Sequence, residues 1–326
     1  MSSARHIIAL LKCHLEGEEE RFFSTALQVA AHEARQGHNK VAQEIQSLID
    51  QAKVRGSSLE HKSAPIPLVQ AKGELANLVS VRYSDTRLSS MVLQASLEKR
   101  LKRIIVEHLN QRRLEEYHLK PRRKILLVGP PGSGKSMTAA ALAGELQIPL
   151  LTVIYTSLIT RFMGETASKL KLIFDAMSVT RGVYFFDEFD AIGSQRAATN
   201  DVGEIRRVLN SCLQLLENDD SQSLIIAATN HPDLLDKAVF RRFDDVIQYD
   251  MPNQAVTRKL IETRLAYFQI NLGNWQQLFD TAEGLSQAEI VRAADEAAKV
   301  AVLSEKTSVS EENLLSAITE RKDSIY

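Results

Sequence analysis

Residues 129 to 136 read Gly-Pro-Pro-Gly-Ser-Gly-Lys-Ser. Glycines at this spacing let successive backbone N–H groups curl around the oxygens of a phosphate, and a lysine at the end of the run neutralises their charge. Lys135 is placed to meet the β- and γ-phosphates of a nucleoside triphosphate, and the Ser136 hydroxyl to ligate Mg²⁺. A strand must deliver the loop and a helix must follow it, so that the helix N-terminus adds its partial positive charge. The flanks meet both demands: Ile125-Leu126-Leu127-Val128 is an apolar run, and an Ala-rich stretch reading as a helix begins at Met137. Gly129, Pro130, Pro131, Gly132, Ser133, Gly134, Lys135, Ser136 and Met137 are therefore the candidate phosphate-binding residues.

A second apolar run, Val183-Tyr184-Phe185-Phe186, ends in Asp187-Glu188. An acidic pair by itself is ordinary helix-cap chemistry. After a phosphate loop, at the carboxyl end of a buried strand, it has another use: Asp187 holds Mg²⁺ and Glu188 polarises the attacking water. A third run, Leu224 to Thr229, ends in Asn230, which reaches the same water or the γ-phosphate if the three strands are neighbours. The adjacent Arg241 and Arg242, taken by themselves, read as a solvated basic face.

In this order the motifs resemble those of the AAA+ ATPases, specifically the AAA clade that includes katanin and spastin, over about Leu88 to the end of the chain. The resemblance implies a P-loop NTPase fold of class α/β: a five-stranded, mostly parallel sheet with a small C-terminal helical lid. It implies that Gly129 to Ser136 are the Walker A loop, Asp187 and Glu188 the Walker B carboxylates, and Asn230 sensor 1. Arg241 and Arg242 become arginine fingers acting on the neighbouring subunit of a homo-oligomeric ring, a hexamer, so an isolated subunit is nearly inactive. The triplet Phe162-Met163-Gly164 matches the pore loop with which the family grips a polypeptide, and a second such loop falls near Gly193 to Glu204. Two departures stand out. The arginines lack the Pro-Gly spacer of many relatives, and Ala288, after Gly284-Leu285-Ser286-Gln287, stands where other branches carry a sensor 2 arginine.

Charge is balanced, at 40 basic and 41 acidic residues, so no bulk attraction to nucleic acid or membrane follows. The two cysteines, Cys13 and Cys212, offer no disulfide framework and suit a reducing, cytoplasmic setting. No apolar run is long enough to span a bilayer, and the first residues do not read as a signal peptide. Residues 1–55 show helical periodicity in three pieces and read as a small domain for recruitment or substrate binding; residues 56–87 read as a linker, although Leu75 to Val81 is apolar enough to dock. Residues 88–252 form the large α/β domain, with strands near 124–128, 150–154, 183–186, 224–229 and 245–249, and residues 253–326 read as helical throughout.

The functional expectation is an Mg²⁺-dependent, ATP-hydrolysing ring motor that unfolds or translocates a protein substrate, serving a separate effector or peptidase through residues 1–55. The alternative is an ATP-dependent DNA-binding loader or transposition regulator, raised by the eleven basic against five acidic residues between Asp85 and Lys124.

Overall fold

The computed structural model describes residues 41, 73–158, 163–190, 202–271 and 273–324. The three helical pieces expected within residues 1–55 lie almost wholly outside them. Val69 to Tyr326 form one compact unit.

The chain enters this unit through helix α1 (Leu75–Leu78) and strand β1 (Val79–Arg82). A 3-10 turn at Leu88–Ser90 leads to α2 (Ala95–Leu109) and α3 (Gln111–Glu115). Alternating strands and helices follow: β2 (Lys124–Val128), α4 (Lys135–Leu146), β3 (Leu150–Val153), α5 (Tyr155–Leu158), α6 (Met163–Val179), β4 (Val183–Phe186), α7 (Val202–Asn218), β5 (Leu224–Thr229), α8 (Lys237–Phe240) and β6 (Asp245–Gln248). The strands form one sheet in the order β1-β3-β4-β5-β2-β6.

All five expected strands are present and mutually parallel. Crossover helices cover both faces, so the strands must be apolar on both sides, and β4 and β5 are buried from end to end. The two faces sort by alternate residues. Leu126, Val128, Tyr184, Phe186, Ile225 and Ala227 pack with α6 and α7, while Ile125, Leu127, Val183, Phe185, Leu224 and Ile226 pack with α2 and α4.

Two expectations need correction. The sheet has six strands, because Val79 to Arg82, read as linker, pairs antiparallel with β3. This segment alternates Val, Ser, Val, Arg, and an antiparallel edge strand needs only one apolar face, so its signal is weaker than that of the fully buried strands. The C-terminal part is not helical throughout. Helices α9 (Gln254–Arg264), α10 (Trp275–Ala282), α11 (Gln287–Leu303) and α12 (Glu311–Asp323) are joined by a two-stranded parallel sheet, β7 (Gln269–Asn271) with β8 (Ser308–Ser310). Both strands are three residues long, too short for a period to show. The helices start where side-chain caps allow: Asn253, Asn274, Ser286 and Ser310 each accept from a backbone N–H of the first turn. Their apolar faces meet in a separate core around Ile261, Leu278, Ile290, Ala297, Leu314 and Ile318.

Candidate active site

Strand order decides what meets. β4, β5 and β2 are consecutive, so the loops at their carboxyl ends lie side by side, and those loops carry Asp187-Glu188, Asn230 and the glycine run. The register brings Phe186 beside Ala227 and Val128 beside Thr229, and Gly129 N–H donates to Thr229 O across the seam at 3.2 Å.

The loop turns on left-handed backbone at Gly132 (φ +73°) and Gly134 (φ +96°), the latter capping α4. A β-carbon at Gly132 would also sit 2.5 Å from Ser286 Oγ, so the loop and the start of α11 approach closely. Ala288 N–H completes that approach by donating to Gly132 O at 3.1 Å.

Lys135 is 6% exposed. Its ammonium donates to Gly129 O and Pro130 O, both at 2.8 Å, and to Asn230 Oδ1 at 2.7 Å. Burial pushes this ammonium below its usual range, opposed by the negative charge of Asp187 and Asp190. Ser133 is buried behind it. Ser136 Oγ donates to Asp187 Oδ2 at 2.8 Å, so two hard oxygens are already paired at one point. Among the described residues no group of three or more His, Cys, Asp or Glu side chains is arranged to hold a metal. Mg²⁺ fits this pair because it characteristically takes one or two protein oxygens and completes its shell with substrate phosphates and water.

Glu188 follows Asp187 in left-handed backbone (φ +51°), a conformation costly for a residue with a β-carbon, and its N–H donates to Asp187 Oδ1 at 3.0 Å. Its side chain is exposed. Strained backbone of this kind concentrates at functional sites, where it aims a side chain.

These groups open on a cleft of about 650 Å³, whose phosphate end is lined by Pro131, Gly132, Gly134, Lys135, Ser136, Asp187, Glu188 and Asn230. Met137 also faces it, whereas Gly129 and Pro130 shape the loop from outside the lining. The opposite end is walled by residues that the sequence reading missed: Met91 and Val92 before α2, and Leu260, Thr263, Arg264 and Tyr267 from α9 and the turn after it. The spacing 260, 263, 264, 267 is one helical face and is the signal that could have marked them. Gln287, Ala288 and Val291 close the side. Also missed was the support of Asn230: Thr229 Oγ1 donates to Asp190 Oδ1 at 2.7 Å and accepts from His231 N at 3.0 Å, bracketing the intervening residue.

Arg241 and Arg242, at the end of α8, do not line this cleft. Arg242 Nε lies 3.1 Å from Glu217 Oε2 without the alignment of a hydrogen bond, so this contact is one of charge alone. Arg241 is exposed and makes no ion pair among the described residues. Phe162 lies outside the described residues, as does most of Gly193 to Glu204; Met163 begins α6.

The basic segment has a local explanation. Seven of its eleven cations are in ion pairs: Arg87 with Glu145, Arg100 with Asp245, Lys102 with Glu98, Arg103 and Arg122 with Glu107, Lys120 with Asp220 and Arg123 with Asp219. Among the described residues no helix is long and apolar enough to cross a membrane.

A P-loop, an acidic strand end and a polar residue on the strand between them define a nucleoside-triphosphatase of the AAA+ type. The family profile for the ATPase family associated with various cellular activities (AAA) matches residues 125–251. An uncharacterized AAA family ATPase of Sinorhizobium fredii, y4kL, is 30% identical over 93% of this chain and 91% of its own. The chain belongs to the AAA family and is an ATPase that binds ATP. A proteasome-activating nucleotidase of Pyrococcus abyssi is 32% identical over 63% of this chain and 53% of its own length. The ATP-dependent zinc metalloprotease FtsH 2 of Bdellovibrio bacteriovorus is 34% identical over 60% of this chain and 33% of its own. The chain thus spans about half of the nucleotidase and a third of the metalloprotease. The narrower likeness to katanin and spastin finds no support in these relatives.

Proposed function

We propose that this ATPase is a ring motor, a hexamer, that hydrolyses ATP at its subunit boundaries and draws a polypeptide through its centre. The observation that carries the reading is the split between the two charge sets. Lys135, Asp187, Glu188 and Asn230 gather on one cleft, while Arg241 stands exposed and away from it. A finger that cannot serve its own cleft has a use on a neighbour's.

Lys135 neutralises phosphate charge, and Asn230, fixed by Thr229 and Asp190, orients the attacking water. Glu188 takes the proton from that water as it attacks the γ-phosphorus. Ser136 and Asp187 would hold Mg²⁺, which would supply neutralisation of phosphate charge. Residues 253–326 act as the lid over the base side and transmit the nucleotide state, and Phe162 with Met163 grips the client. A polypeptide client is supported by the names of two relatives, one activating a proteasome and one carrying a protease. By the same reading the protein works in the cytoplasm, and residues 1–55 recruit a separate effector or peptidase.

The test is turnover with defined polymers. Unfolded polypeptide should accelerate ATP hydrolysis; acceleration by DNA instead would replace this reading with that of a DNA-dependent loader. Glu188→Gln should retain ATP binding in calorimetry and lose turnover by about 100-fold or more. Turnover near the unaltered rate would remove Glu188 from the chemistry.

A further inference from the structure

Tyr249 follows the last residue of β6 and is 1% exposed. Three parts of it meet the glycine run or the residues that hold it. Its N–H donates at 2.7 Å to the carbonyl of Val128, the residue that delivers the run. Its carbonyl lies where a β-carbon on Gly129 would collide with it, so the first glycine is held hard against this backbone. Its hydroxyl lies 2.6 Å from Thr138 Oγ1, one turn into α4. Thr138 leads back to the other end of the run. Its Oγ1 donates to Gly134 O at 3.0 Å, beside the helical bond from its own N–H to that oxygen at 2.9 Å.

The direction of this chain follows by elimination. The Thr138 hydroxyl proton is on Gly134 O, so the hydrogen between the two hydroxyls comes from Tyr249. Both residues are buried, Thr138 completely. Burial pushes the phenol up to about 12, so it keeps its proton at any ordinary pH. The carbonyl of Gly134 and the N–H of Lys135 belong to one planar peptide and point opposite ways. Holding that carbonyl along the helix axis therefore aims the Lys135 N–H out of the helix start, where the unpaired donors of a first turn take up an anion.

We propose that Tyr249 and Thr138 are positioning residues for ATP: they brace the two ends of the glycine run and hold its backbone donors in place before the phosphates arrive. Neither residue belongs to the glycine and lysine motif, and neither lines the cleft. An arc made largely of glycines cannot hold its own shape, so its ends must be fixed from outside. Order set in advance lowers the cost of binding, and it acts on affinity more than on the rate at saturation. The inference requires only that the run binds ATP, not that subunits form a ring.

The full chain carrying Tyr249→Phe, Thr138→Val, both changes, or Thr138→Ser separates this role from a structural one. Affinity is read by calorimetry with a non-hydrolysable ATP analogue, and melting temperature without nucleotide. Tyr249→Phe should weaken affinity about fivefold and leave kcat at saturating ATP within about twofold. Thr138→Val strands the buried phenol without an acceptor, so it should lower the melting temperature by a few degrees and weaken affinity about tenfold. The double variant removes both hydroxyls: its melting temperature should return to about that of Tyr249→Phe while its affinity stays as low as that of Thr138→Val. Thr138→Ser keeps the hydroxyl and should hold affinity within about twofold. Unaltered affinity in both single hydroxyl deletions overturns the proposal. So does affinity that recovers with the melting temperature in the double variant, because a purely structural pair would behave that way, and so does a Thr138→Ser loss as large as that of Thr138→Val.

Discussion

The two ends of the cleft are built on opposite plans. At the phosphate end the charged and polar side chains follow three consecutive strands, with Lys135 holding two carbonyls and Asn230 at once. The other end is largely apolar, assembled from the segment before α2, from α9 and from α11, and it includes Tyr267 at 98% exposure. Recognition of charge needs atoms fixed to a fraction of an ångström, which a sheet provides. Recognition of an apolar group needs area, which a wall of helical side chains provides.

Whether one chain suffices is the sharpest question for that contrast, because neither end includes Arg241 or Arg242, which follow α8. Arg241→Ala should lower kcat on the order of 10³-fold, and mixing with finger-intact subunits should restore part of it. Arg242→Ala should cost less, since its charge is already engaged by Glu217. Equal losses that mixing does not restore, in a protein that still binds ATP, would mean that both arginines act within their own subunit.

The phosphate end should respond to charge. Lys135→Ala should weaken ATP binding about 100-fold in calorimetry. Only the protonated amine neutralises phosphate, and burial lowers its pKa, so affinity in the unaltered protein should fall with rising pH before 10.5 is reached. That alkaline slope should vanish in Lys135→Ala; a slope that persists belongs to another group.

The apolar end should respond to area. Leu260→Ala should raise the KM for ATP about tenfold and leave kcat within a factor of two or three, and Tyr267→Ala should raise it only a few-fold. A loss of kcat without a change in KM at either position would show that this wall takes part in the chemistry.

The same contrast explains what could be read from the sequence. Asp187, Glu188, Asn230 and Lys135 were legible because each ends or follows a strand buried on both faces, whose continuous apolar run marks its own boundary. The five parallel strands were legible for the same reason. β1 was not, because an edge strand with one dry face shows a weak pattern over four residues, and β7 and β8 are shorter still. Asp190 was invisible for a different cause: its bond to Thr229 comes from a lateral neighbour in the sheet, and no local pattern states which strands lie side by side. Residues 260, 263, 264 and 267, on the cleft's other wall, did carry a helical period, but a helix face alone does not say what it faces.

The start of α11 rests on the glycine run through a single backbone hydrogen bond, from Ala288 to Gly132. The helix then continues for 17 residues, to Leu303. At 1.5 Å per residue this is a rod about 25 Å long whose pivot would be the glycine run. A 10° tilt at the pivot sweeps its far end through roughly 4 Å, about the width of an apolar side-chain contact. Val300, Val302 and Leu303, exposed at that end, are where such a tilt would give the largest displacement.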